Sequence, residues 1–165
     1  MIKQNRVKKL AEGLQKRGLD ALYIGPSTDL EYIGELDTHP DERVRGLMVA
    51  KDGRCFAMTP LLYEEEITKA FGDVPFYSRW DDYEGYVEAF KRGCEHLGVL
   101  NGNIAFNDGV RAVDMLTLRD ALGIKCFNGA DILAEQRAHK DEEELDMLRT
   151  AGRTIDKVME ALSHY

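Results

Sequence analysis

The chain has 165 residues, of which 44% are hydrophobic and 32% charged, with a formal net charge of -8. That is enough for one ordinary globular domain, burying roughly 70% of its unfolded surface. The acidic balance argues against non-specific nucleic-acid binding, and no run of about 20 apolar residues is present to span a bilayer.

The first helix is readable from Val7, Leu10, Ala11 and Leu14, which share one face, with Gly18 placed to end it. The early basic residues (Lys3, Arg6, Lys8, Lys9, Lys16, Arg17) fall mainly on its polar side. Leu19 to Ile24 reads as a short buried strand closed by Gly25-Pro26. Thr28 and Glu31 form a capping-box pair that opens a short helical turn through Tyr32. A polar stretch follows from Gly34 to Glu42, the longest in the chain without a regular pattern.

Val44 to Ala50 and Arg54 to Thr59 are strand-like, and Lys51-Asp52-Gly53 between them predicts a hairpin, Asp-Gly being suited to a type I′ turn. Thr59-Pro60 supplies a cap and a first-turn proline for a helix reaching about Phe71. Val74 to Tyr77 reads as a strand, and Asp82 as the cap of a helix with Tyr83, Tyr86, Val87, Phe90, Cys94 and Leu97 along one stripe. Asn103 to Asn107 is a strand, Arg111 to Leu122 a helix, Ile124 to Phe127 a strand, and Ala130 to Glu135 a brief helix. About six strands interleaved with four substantial helices predict an α/β layered domain whose sheet is mixed because of the one antiparallel hairpin.

The tail opens on Asp141, a good N-cap, with Glu144 completing a capping box. Leu145, Leu148, Gly152, Ile155, Met159 and Leu162 then repeat at helical spacing, and no Gly, Asn or Pro stop signal follows Leu162. The expectation is a domain boundary that has been cut through, with this chain as the front part of a larger protein. The N-terminus lacks the apolar core of a signal peptide, which makes a cytoplasmic location the default expectation.

Signatures of catalytic chemistry are largely absent. There is no GxGxxG at the first strand-to-helix turn, no P-loop, no GxSxG elbow and no HExxH. His39, His96, His139 and His164 show no metal-ligand spacing. Cys55, Cys94 and Cys126 are odd in number and widely spaced in apolar segments, which fits buried thiols better than a disulfide frame or a zinc site. The acidic runs Glu64 to Glu66 and Glu142 to Glu144 sit in or near helix first turns, where carboxylates complement the helix dipole; Asp81-Asp82 has the same account. Trp80 is expected to pack against the sheet edge. The polar loop Asp37-Thr38-His39-Pro40-Asp41-Glu42-Arg43 gathers acid, imidazole and guanidinium, and reads either as a solvated turn-forming linker or as a functional loop.

The ordered set of features resembles the creatinase/prolidase N-terminal domain, which precedes the "pita-bread" metallopeptidase domain of proline dipeptidases and aminopeptidase P. The opening Arg6-x-x-x-Leu10 helix followed by Gly18-Leu19-Asp20-Ala21-Leu22 is similar to the start of that domain. Asp29-Leu30-Glu31-Tyr32-Ile33 resembles the family's Asn-Leu-x-Tyr-Leu. Arg137-x-x-Lys140-x-x-x-Glu144-Leu145-x-x-Leu148-Arg149-x-Ala151 resembles the family's Arg-x-x-Lys-Ser-x-x-Glu-Ile-x-x-Ile-Arg-x-Ala, which opens the first helix of the catalytic domain. One departure stands out: where the family continues Tyr-Leu-Thr-Gly-Phe, this chain has Tyr32-Ile33-Gly34-Glu35-Leu36.

The resemblance implies a three-layer α/β fold with a mixed, mostly six-stranded sheet flanked by helices and a ribonuclease H-like motif. It implies an N-terminal domain over residues 1–136, and a linker with the first helix of a catalytic domain over 137–165. The full protein would hydrolyse short peptides before proline, using two divalent metal ions (Mn, Co or Zn) whose Asp, His and Glu ligands lie in the further domain; no metal ligand and no catalytic residue is assigned to this chain. Implied partners are that domain, a second copy in a homodimer and proline-containing short peptides, with neither nucleic acid nor membrane. One N-terminal-domain loop can close over the neighbour's active site, and the matching loop carries Asp37, His39 and Arg43, so a cation there could grip a substrate carboxylate. Two alternatives share the same fold: a catalytically inactive protein-binding module, histones being one partner of such relatives, and the N-terminal domain of a creatinase-like amidinohydrolase.

Overall fold

The computed structural model describes residues 1–36, 39–72 and 74–163. The chain divides into two units, Met1–Leu133 and Ala134–Tyr165.

The first unit is built on a six-stranded sheet. Its strands are β1 (Ala21–Ile24), β2 (Gly46–Ala50), β3 (Cys55–Pro60), β4 (Tyr77–Trp80), β5 (Asn103–Phe106) and β6 (Lys125–Asn128), in spatial order β4-β3-β2-β1-β5-β6. β1 to β3 form the antiparallel part, while the β3–β4, β1–β5 and β5–β6 pairs are parallel, so the sheet is mixed as the element pattern predicts. The central strands β1, β2 and β3 are buried along their whole length, which matches their continuous apolar runs.

The helices are α1 (Gln4–Lys16), α2 (Thr28–Gly34), α3 (Glu64–Ala70), α4 (Tyr86–Leu97), α5 (Ala112–Leu122), α6 (Ala130–Ala138) and α7 (Glu142–Leu162). Two cores result, one on each face of the sheet. Leu22, Ile24, Leu47 and Val49 pack with Leu10 and Leu14 of α1, Leu30 and Ile33 of α2, Ile67 of α3 and Leu133 of α6. On the opposite face, Tyr23, Met48, Phe56 and Phe106 pack with Phe90 and Cys94 of α4 and Leu118 of α5. The result is three layers, and each fully buried Leu or Phe contributes about 1.5–3 kcal/mol.

Several local expectations are corrected. Ser27 rather than Thr28 caps α2, its hydroxyl accepting from the Leu30 N–H at 3.4 Å. The hairpin turn is not type I′: Gly53 donates to the Ala50 carbonyl at 2.9 Å and alone of the loop residues has positive φ, 84°. A three-residue loop closing on a left-handed glycine does the same job. Thr59 and Pro60 extend β3, because Pro60 still pairs with Trp80 of β4; a short 3₁₀ turn over Leu61–Tyr63 then leads into α3. β4 therefore starts at Tyr77, the residue at which the sequence pattern ends its strand. Asp82 does not cap α4, which starts four residues later behind Gly85, and Tyr83 leaves the apolar stripe to become fully exposed. Trp80 sits on the sheet-edge strand, its indole N–H donating to the Val44 carbonyl at 2.9 Å.

The motifs around α2 acquire physical reasons. Arg6 is buried, donates to the Tyr32 carbonyl at 2.5 Å and lies over the Tyr32 ring at 3.9 Å, so it ties α1 to the end of α2. Glu35 takes the left-handed conformation (φ 54°) at the position where the resembled family has glycine. Its carboxylate pairs with Lys3 at 3.0 Å, which lowers its pKa. Gly34 before it is confined by Phe71, whose ring would lie 2.0 Å from a Cβ.

In the second unit, α7 begins as its sequence predicts. Asp141 accepts from the Glu144 N–H at 2.9 Å, and Glu144 accepts from the Asp141 N–H at 2.9 Å, a complete capping box. Leu145 is half-buried, but the large apolar side chains from Met147 onward are exposed, Ile155 and Met159 at 62% each. Among the described residues no helix is long and apolar enough to cross a membrane.

Candidate functional site

The loop between α2 and β2 leaves the sheet where the strand order turns. From the carboxyl end of β1 the chain runs outward through β2, β3 and β4, then returns through β5 on the other side of β1. The carboxyl ends of β1 and β5 therefore flank a switch point, the usual crevice of open α/β sheets. Asn107, which follows β5 and is buried, seals its floor. It accepts from the Gly25 N–H at 3.0 Å and donates to Ser27 Oγ at 3.0 Å and to Asp29 Oδ2 at 3.1 Å. The two turns approach so closely that a Cβ on Gly25 would meet Val110 at 2.9 Å and the Gly109 carbonyl at 3.0 Å.

Residues 39–45 arch over this floor, and Asp41 is their hub. Its Oδ1 accepts from the Arg43 N–H at 2.8 Å and from the Arg45 guanidinium at 2.6 Å, while Oδ2 accepts from the Tyr63 hydroxyl at 2.8 Å. Burial works against the charged carboxylate, but the Arg43 N–H, Arg45 and Tyr63 outweigh it and hold its pKa below the usual carboxylate range. With these three hydrogen bonds accepted, Asp41 anchors the loop. Arg45 is itself buried, donates to the His39 carbonyl at 2.7 Å and stacks over the Tyr63 ring at 4.2 Å. Arg111, just before α5, reaches the Asp41 carbonyl at 3.3 Å.

Of the three residues singled out from sequence, Asp37 lies outside the described residues. His39 is exposed, with its backbone carbonyl engaged by Arg45. Arg43 is half-buried and bidentate to Asp82, at 2.5 and 3.1 Å, which raises the Arg43 pKa and lowers that of Asp82. The structure thus brings His39 and Arg43 into one arch, but Arg43's guanidinium faces Asp82. Sequence reasoning placed Asp41 in the polar loop without giving it a role of its own, and passed over Arg45, Tyr63 and Arg111 as parts of the arch. Only the Asp41 to Arg43 turn carried a local signal, an Asp bonding the N–H two residues on.

Among the described residues, 39–45 contain no Ser, Thr, Cys or Lys. What the arch offers is a set of guanidinium groups, Arg43, Arg45 and Arg111, around a hydrogen-bonded loop. Among the described residues no group of three or more His, Cys, Asp or Glu is placed to hold a metal ion.

The family model described as the creatinase/prolidase N-terminal domain matches residues 6–139. The "Probable dipeptidase PepE" of Mycobacterium tuberculosis strain H37Rv is 32% identical over 146 residues, 86% of this chain and 37% of its own length. The Xaa-Pro dipeptidase of Lactobacillus delbrueckii subsp. lactis is 31% identical over 153 residues, 90% of this chain and 41% of its own. This chain therefore spans about two fifths of these curated relatives. A dipeptidase crystal structure from Pyrococcus horikoshii OT3 superposes with a TM-score of 0.82 at 31% identity, covering 97% of this chain and 44% of that one. The N-terminal domain of a Xaa-Pro dipeptidase from Lactobacillus brevis, solved by itself, shares the fold: TM-score 0.69 at 19% identity, covering 79% of this chain and 98% of that one. This chain belongs to the creatinase/prolidase N-terminal domain family.

Proposed function

We propose that this chain is the non-catalytic N-terminal domain of a Xaa-Pro dipeptidase or aminopeptidase P-like hydrolase, with residues 1–136 as the domain and 137–165 as the linker and first helix of a catalytic domain. The carrying observation is the family match over 6–139 within a chain that spans about two fifths of its dipeptidase relatives. The exposed apolar face of α7 supports it: Met147, Leu148, Ile155, Met159 and Leu162 form a surface that a further domain would cover. Two divalent metal ions would belong to that domain, where they would activate water for attack on the scissile amide. This chain's own part is to contribute to a homodimer and to gate short proline-containing peptides in a cytoplasmic enzyme, with His39 and Arg43 on the gating loop together with Asp37.

The test is hydrolysis of Xaa-Pro dipeptides by the complete gene product and by residues 1–165 alone, each with Mn²⁺, Co²⁺ or Zn²⁺. The complete protein should cleave, and the 165-residue chain should not. A complete protein inert toward every prolyl dipeptide, or cleavage by the 165-residue chain, would overturn the reading. Arg43→Ala in the complete protein should raise KM for dipeptides, and an unchanged KM would return the arch to a purely structural role.

A further inference from the structure

Beneath the arch lies a small cavity of about 20 Å³, lined by Tyr23, Gly25, Asp41, Arg45, Val110 and Asp114 among others. Tyr23 is fully buried, yet its hydroxyl has no hydrogen-bond partner among the described residues. The ring is not placed to swing away. It is wedged edge-on against Phe90 at 5.3 Å and Phe106 at 6.1 Å, and the hydroxyl-bearing end abuts Gly46, where a Cβ would lie 3.2 Å from the ring carbon.

Asp114, in the first turn of α5, is buried on the same cavity, and among the described residues its side-chain partners are distant: the Tyr86 hydroxyl at 3.5 Å and Arg111 Nε at 3.5 Å. A carboxylate accepts as many as four hydrogen bonds, so this one keeps acceptor capacity facing the cavity. A buried hydroxyl and a buried carboxylate left unbridged would both be costly.

We propose that this cavity is a binding site for one ordered water molecule, which accepts from the Tyr23 hydroxyl or donates to it and donates to the Asp114 carboxylate. The volume suits a single water, for which about 10–15 Å³ is enough when polar partners are at hand. Charge balance argues against an ion: Arg43, Arg45 and Arg111 around the cavity are matched by Asp82, Asp41 and Asp114 respectively. A neutral guest that can donate and accept is what remains. The water joins the central strand β1 to the first turn of α5, and Arg111 beside that turn holds the Asp41 carbonyl, so the bridge lies at the foot of the arch.

A crystal structure of residues 1–165 at a resolution that shows ordered solvent is the direct test. Water density within hydrogen-bond distance of both the Tyr23 hydroxyl and an Asp114 carboxylate oxygen is the expected result. A dry cavity, or a direct Tyr23–Asp114 hydrogen bond, would overturn the proposal. In solution, Tyr23→Phe should raise the unfolding equilibrium constant about tenfold, and the effect should shrink in an Asp114→Asn background, since both groups hold the same water. A Tyr23→Phe variant as stable as the parent, or effects that simply add, would count against it.

Discussion

α4 and α7 carry the same kind of pattern with opposite outcomes. Both are strongly amphipathic helices with apolar residues at three- and four-residue steps. In α4 that stripe is buried against the sheet, with Phe90 and Cys94 fully covered, whereas in α7 Leu148, Ile155 and Met159 are all more than half exposed. Periodicity therefore says which face seeks a partner, and the partner's presence is a separate fact. For α4 the partner is the sheet of its own unit. For α7 a complete capping box holds the helix start, and the apolar face from Met147 onward is exposed.

Substitution on the two stripes should show this directly. Phe90→Ala should cost about 3–5 kcal/mol in denaturant unfolding, since it empties a site between Tyr23 and Phe106. Ile155→Ala should stay within about 0.5 kcal/mol in the 165-residue chain. If Ile155→Ala costs as much as a core truncation, the contrast between the helices is wrong. A smaller effect is expected at the start of α7: Asp141→Ala should destabilise that helix by about 1 kcal/mol, read as faster amide exchange in its first turns while the sheet strands are unchanged. Loss of sheet protection in the same variant would mean that the two units do not open separately.

The smallest effect separates the arch from both helices. The folded Asp41 carboxyl has a lowered pKa, so its contribution is fully present above the unfolded value near pH ~3.9, and it is lost as pH falls through the lower folded value. Thermal denaturation of the parent and Asp41→Asn from about pH 7 down to about pH 3 should show the parent's advantage shrinking once the pH drops below about 4. A gap independent of pH would mean that Asp41 does not anchor the arch through its charge.

The sequence was most legible where the physics is local. The α1 stripe, the β1 run and the Asp141–Glu144 box each depend on neighbours within a few residues, and the structure keeps them, as it keeps the hairpin at Asp52-Gly53 though with another turn type. Errors arose where two local signals compete: Ser27 and Thr28 are both good caps, and Thr59-Pro60 suits a helix start as well as a strand end. β3 wins Thr59 and Pro60 because they pair with Arg79 and Trp80, about 20 residues on in sequence. The arch was least legible, since Tyr63, Asp82 and Arg111 come to it from 22 to 70 positions away. Its hub, Asp41, looks like any turn-forming aspartate until the fold delivers those partners.

The two buried cysteines lie in different cores. Cys55 packs on the α1 face of the sheet, and Cys94 on the α4 face, where burial raises its thiol pKa. Only the thiolate is nucleophilic, so neither sulfur meets an alkylating reagent until its own layer opens. The molecule thus carries a separate chemical clock for each side of its sheet: simultaneous labelling of Cys55 and Cys94 would mark global unfolding, and labelling of only one of these two would mark a layer peeling away by itself, apart from any labelling of the half-buried Cys126.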